Sequence, residues 1–107
     1  MKRGEVWWVN FKPSIGGEIR KKRPAIIVSN DAANKYLNRI QVVPVTSKTE
    51  HLYPGEAYVT VAGKKGKAMA DQVATVGKIR LSKRIGVLSG EDMKKVGEAI
   101  KVQLDLF

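Results

Sequence analysis

The chain has no cysteine and a single histidine. The first absence excludes a disulfide framework, a thiolate nucleophile and any thiolate-held zinc. The second excludes paired-histidine metal motifs and leaves His51 as the one candidate for a histidine-based triad. His51 follows Glu50 in a polar linker, where a solvated surface position is expected. No apolar run approaches the ~20 residues that a membrane-spanning helix needs. Met1-Lys2-Arg3-Gly4-Glu5 leads straight into a strand-like segment rather than the apolar core of a signal peptide. A cytoplasmic protein with no membrane partner is expected. Acidic residues are scarce too: ten Asp+Glu stand against twenty Lys+Arg, for a net charge of +10.

What is present fits one small domain over residues 1–107, with 43% hydrophobic residues, enough for a packed core. The charge is uneven. Residues 1–89 hold seventeen basic and six acidic side chains, whereas 90–107 hold three and four. A body this cationic attracts polyanions, because each neutralised phosphate releases counterions. An acidic protein would satisfy the same field.

Val6-Trp7-Trp8-Val9-Asn10-Phe11 is aromatic and β-branched and reads as a strand. Its adjacent tryptophans face opposite sides, so one belongs to the core while the other is left for a dimer interface or for stacking on a base. Residues 12–23 carry Pro, Gly-Gly and five Lys/Arg and read as a basic loop. Pro24-Ala25-Ile26-Ile27-Val28-Ser29 suits a strand buried on both faces, with Pro24 at its first position. Ile40–Thr46 is a third strand, in which Pro44 demands a bulge or an unpaired donor position. Glu56–Val61 alternates, Gly63-Lys64-Lys65-Gly66 reads as its hairpin turn, and a strand follows over Lys67–Val73. Lys78–Leu81 and Arg84–Leu88 add short strands. Ser89-Gly90-Glu91-Asp92 matches a capping box, and Met93, Val96, Ile100 and Leu104 then mark one face of a helix. The expected fold is mainly β with a C-terminal helix: a small, strongly curved antiparallel barrel.

Few residues offer chemistry. Gly63-Lys64-Lys65-Gly66-Lys67-Ala68 has the wrong spacing for a phosphate-binding loop and lacks the Ser or Thr after the lysine. Asp31 and Asp71 could meet in space, but two carboxylates without histidine support make a thin case for a metal centre. Lys21-Lys22-Arg23-Pro24 is more productive. It sets a guanidinium at the junction of loop and buried strand, and a guanidinium's planar fork bonds two phosphate oxygens while staying charged. Thr46-Ser47 adds hydroxyls at the end of the third strand, and Asp71-Gln72 adds a carboxylate and an amide. Each has an ordinary alternative as a strand-end ion pair, a turn-capping hydroxyl or a hairpin polar pair.

Lys2-Arg3-Gly4-Glu5-Val6-Trp7, then Pro13, Gly16 and Glu18, then Arg23–Asp31, then Val43-Pro44-Val45-Thr46-Ser47 together resemble the MazF/PemK (Kid) toxin family. The likeness continues through Asp71-Gln72, Thr75 and the terminal helix. It implies an SH3-like barrel of the MazF/PemK/CcdB type that dimerises, cuts single-stranded RNA at short sequences without a metal or other cofactor, and is neutralised by a cognate acidic antitoxin. Cleavage would use the ribose 2′-hydroxyl and leave 2′,3′-cyclic phosphate and 5′-hydroxyl ends. Carried over by position, Arg23 and Thr46 are the residues central to catalysis, and Asp71 sits where some members have a catalytic acid. Gln72 matches an RNA-contacting residue and Glu18 a loop residue near the site. Some relatives place a histidine where this chain has Gly17, and an arginine where it has Met69, so catalytic weight shifts to Arg23 and Thr46. Lys12, Arg20, Lys21 and Lys22 serve as electrostatic support for RNA, beside Ser47.

Two other readings share these features: a barrel that holds RNA without cutting it, and a protein-directed poison like the fold-related gyrase inhibitors.

Overall fold

Ala25, Ile26 and Ile27 are all fully buried, and alternate side chains along them enter two different cores. A computed structural model of the chain describes residues 1–11 and 22–107. Its strands are β1 (Glu5–Asn10), β2 (Lys22–Ile27), β3 (Arg39–Thr46), β4 (Glu56–Val61), β5 (Lys64–Met69), β6 (Ala74–Gly77) and β7 (Leu81–Val87). Helices α1 (Asp31–Tyr36) and α2 (Gly90–Leu104) complete it, with 3-10 turns at Ala70–Gln72 and Lys78–Arg80. The sheet runs β4-β5-β3-β2-β1-β7, antiparallel at every pairing, and β6 also pairs with β3. It curls into a half-barrel.

The bend is written in β3. One edge of that strand pairs with β2, while its other edge is shared: Arg39–Val42 pair with β6, and Val45 and Thr46 pair with β5. Pro44 falls in the gap between those two partners, where its missing N–H breaks no ladder. Inside the curve, Val6, Ile26, Val43, Val45, Val59 and Leu88 pack with Val96 and Ala99 of α2. On the other face Val9, Ala25, Ile27, Ile40, Val42 and Leu81 form a second core. A strand in the middle of such a sheet meets apolar neighbours on both sides, as its unbroken apolar run requires.

Several local readings are corrected. Pro24 is the third residue of β2, not the first. It is tolerated because the β2–β3 ladder begins only at Ala25↔Pro44, leaving β2 one neighbour at that point among the described residues. The β4–β5 turn is Ala62-Gly63, both at positive φ (50° and 79°), and Lys64, Lys65 and Gly66 belong to β5. Such left-handed pairs match the strand twist in two-residue hairpins. β5 ends at Met69 instead of running to Val73, and Lys78–Arg80 is a 3-10 turn leading into one continuous strand, β7. The polar stretch after Asn30 is helix α1, capped by the Asn30 side chain on Ala33 N–H. Ser89 does cap α2, accepting from Asp92 N–H at 3.0 Å, but the Asp92 carboxylate turns to the Thr60 N–H at 2.9 Å. Leu104 lies outside the buried stripe, 51% exposed.

Candidate active site

The last rung of the β2–β3 ladder is Ala25↔Pro44. Beyond it the two strands part, and a cleft of about 510 Å³ opens at that end of the half-barrel. Arg23 and Thr46 both line it. β2 carries Arg23 just before a buried run, and its backbone is fixed by pairing with Val9. Its Nε is buried and has no hydrogen-bond partner among the described residues. Thr46 is buried at the end of β3, and its Oγ1 accepts the Lys48 N–H at 3.2 Å. That bond uses an oxygen lone pair and leaves the hydroxyl proton available to a ligand.

Around this pair the cleft is cationic and partly aromatic. Lys22, Lys64 and Lys65 line it along with Ser47, Pro24 and Ile85. No carboxylate lines it among the described residues. Lys65 Nζ sits over the Tyr58 ring, 4.1 Å from its centroid, which holds the ammonium without neutralising it. Four like charges around one cleft, at a chain-wide excess of +10, form a potential well for a polyanion.

The tryptophans divide as their adjacency requires. Trp7 is half-buried against the second core and donates from Nε1 to Glu5 Oε1 at 2.9 Å. Trp8 lines the cleft and is 38% exposed. Glu5 is a buried acid held by Arg84 Nη1 at 3.4 Å and by the N-terminal amine at 3.9 Å. Burial raises its pKa, but the hydrogen bonds from Trp7 and the Lys2 backbone and the nearby positive charges outweigh that, and the carboxyl titrates below its usual range.

The remaining residues separate into three groups. Lys22 and Ser47 join Arg23 and Thr46 in the cleft. Asp71 is exposed on the Ala70–Gln72 turn, beyond the Met69 end of β5, and does not line the cleft that the Lys64 end helps to form; half-buried Gln72 shares its turn. Lys12, Gly17, Glu18, Arg20 and Lys21 lie outside the described residues. Lys64 and Lys65 are cleft residues that reading them as a hairpin turn concealed. No sequence signal marks the turn, because Ala62 at φ 50° is not a residue that favours the left-handed region.

Among the described residues no group of His, Asp and Glu could hold a metal ion, and no helix is long and apolar enough to cross a membrane.

The chain is similar to known proteins over nearly its whole length. The family described as "PemK-like, MazF-like toxin of type II toxin-antitoxin system" matches residues 2–104. The chain is 39% identical over 116 residues to "Endoribonuclease MazF9" of Mycobacterium tuberculosis, covering 100% of this chain and 98% of that protein. The crystal structure of MazF (form I) from Deinococcus radiodurans matches with a TM-score of 0.87 at 26% identity, over 99% of this chain and 97% of that one. An endoribonuclease solved in complex with its cognate antitoxin, from a mycobacterial species, matches with a TM-score of 0.84 at 25% identity, over 100% and 97%.

Proposed function

Because this chain belongs to the PemK-like, MazF-like toxin family of type II toxin–antitoxin systems, we propose that it is an endoribonuclease toxin that cuts single-stranded RNA in the Arg23–Thr46 cleft. One observation carries the reading: Arg23 and Thr46, anchored on neighbouring strands, line one cleft together with lysines and an exposed tryptophan. A phosphodiester needs those groups, and a flanking base needs the aromatic face.

The ribose 2′-oxygen attacks phosphorus, the P–O5′ bond breaks, and the products are a 2′,3′-cyclic phosphate and a 5′-hydroxyl. The pentavalent species gains negative charge on its equatorial oxygens. Arg23 bonds to them, and the Thr46 hydroxyl donates one more hydrogen bond. A proton leaves the 2′-oxygen and another reaches the departing 5′-oxygen. Asp71, the acid suggested by the family likeness, stands off the cleft within one protomer, and a guanidinium has five N–H donors and no acceptor for a proton. We therefore assign both transfers to solvent, water taking the 2′-proton and returning one to the 5′-oxygen, with Arg23 lowering the cost of the developing 2′-alkoxide. Lys22, Lys64 and Lys65 guide the backbone and set affinity.

The relative solved with its cognate antitoxin supports a second element of the proposal. An acidic, partly disordered segment of a cognate antitoxin would neutralise the same cations and block the RNA path. By the same family likeness the toxin acts as a homodimer, in the cytoplasm where mRNA is exposed.

The test is direct. Purified protein is incubated with long single-stranded RNA in EDTA, and the fragment ends are sequenced and mass-analysed. Discrete cuts bearing cyclic-phosphate ends support the reading. Intact RNA that shifts on a gel would make the cleft a binding site only, and RNA neither cut nor bound would redirect the search to a protein target.

A further inference from the structure

One row of side chains crosses three strands beside the cleft. Tyr58 of β4 pairs with Lys67 of β5, and Lys67 pairs with Thr46 of β3. Register partners share a face of their sheet, so Tyr58 and Lys67 flank Thr46 on its own side. Lys67 is buried, which a lysine rarely is unless paired. Its ammonium lies 3.1 Å from Glu56 Oε1 and donates to the His51 carbonyl at 2.8 Å. Glu56 Oε1 also accepts the Tyr53 N–H at 2.8 Å. Tyr58 works in parallel, its hydroxyl donating to the Thr49 carbonyl at 2.9 Å while its ring lies beneath Lys65.

These bonds fasten one segment. Residues 47–55 belong to no strand or helix, yet they begin at the catalytic threonine. Left alone, such a stretch would let the Thr46–Lys48 turn sample many geometries. Fastening at Thr49, His51 and Tyr53 removes that freedom. A buried ion pair is a poor way to gain stability, since apolar replacements often match it. Its direction is informative instead: Lys67 reaches on to His51 and Glu56 to Tyr53, both in the segment that follows Thr46.

We propose that Tyr58 and Lys67 are positioning residues, a strut that holds the Thr46–Thr49 turn and, through Lys65, one cleft cation in the geometry cleavage requires. The inference rests on the ribonuclease reading above. Orientation of a reacting group is worth far more in rate than in stability, so kcat should respond more than the melting temperature.

The experiment uses Tyr58→Phe, which deletes one hydroxyl and keeps the ring under Lys65. Steady-state cleavage of an oligoribonucleotide carrying a site mapped with the wild-type protein is paired with amide exchange at Lys48, whose N–H bonds Thr46 Oγ1. Expected are a kcat about tenfold lower, an unchanged KM, faster Lys48 exchange and a melting temperature lower by only a few degrees, the scale of one lost hydrogen bond. Tyr58→Leu, which also removes the ring, should raise KM as well. Wild-type kcat in Tyr58→Phe, or a lower kcat with Lys48 exchange unmoved, overturns the positioning role. Intact RNA with the wild-type protein sinks the ribonuclease reading instead, and Lys48 exchange then decides by itself whether the strut holds the turn.

Discussion

Arg23 and Thr46 each stand two residues beyond Ala25↔Pro44, the last rung joining their strands. Equal steps along a pleat return to the same side, so the two groups emerge together where the ladder ends. The site is therefore a property of register. Shifting β2 against β3 by one residue would turn one of the pair away from the other.

Thr46→Val tests the hydroxyl while keeping the β-branched shape. It removes a donor to the phosphate and the acceptor for Lys48 N–H. A fall in kcat of about tenfold or more is expected, with the melting temperature little changed because Thr46 lies at a strand end. Cleavage kinetics beside a thermal melt check both parts.

Trp8→Ala should weaken RNA binding and leave the chemical step intact. Base–aromatic stacking is worth about 1–3 kcal/mol per base, so KM should rise between roughly fivefold and 150-fold. Trp7→Phe should do the reverse, lowering stability through the lost bond to Glu5 and sparing KM. Equal effects of the two substitutions on KM would refute the division between core and cleft.

Lys64 and Lys65 should each contribute one phosphate contact. Single changes to Met are expected to weaken binding on all RNA sequences alike and to reduce the slope of log Kd against log salt by about one. Fluorescence titrations at several salt concentrations measure that slope.

These lysines also show what the sequence conceals. The apolar run Ala25–Ile27 and the Ser89 cap declare themselves because burial and capping are local demands, met by local residue choices. The end of β5 does not. Lys64-Lys65-Gly66 carries turn-like composition, yet pairing with β4 draws it into the strand, and only the positive φ of Ala62 marks the true turn. β6 is short and mixed in character, and it exists because β3 leaves half an edge open. Site membership is legible for Arg23 and Thr46 through motif likeness, with positions that the fold then brings to one cleft. For Asp71 the same likeness points to a residue whose place depends on where β5 stops, and that is a matter of tertiary packing.

Glu5 makes stability depend on acid. Its folded pKa lies below the unfolded value, so the unfolded chain binds the extra proton at low pH. The contribution is fully present above the ordinary carboxylate pKa of about 4.3 and is lost as pH falls through the folded value. Melting temperature should therefore drop as pH falls from neutral to below that ordinary carboxylate value, with Glu5→Gln showing a smaller drop from a lower starting point. Parallel thermal melts across that range provide the comparison.

The Arg23 guanidinium can be isolated from everything else by a single-turnover measurement. Wild-type protein and Arg23→Ala, each in saturating excess over a labelled single-stranded oligoribonucleotide in EDTA, are followed for appearance of the cyclic-phosphate fragment, with Kd measured separately. Loss of one preorganised charged donor predicts a cleavage rate at least about 100-fold lower, with Kd within a few-fold of wild type because Lys22, Lys64 and Lys65 remain. Cleavage by Arg23→Ala at the wild-type rate would contradict the account.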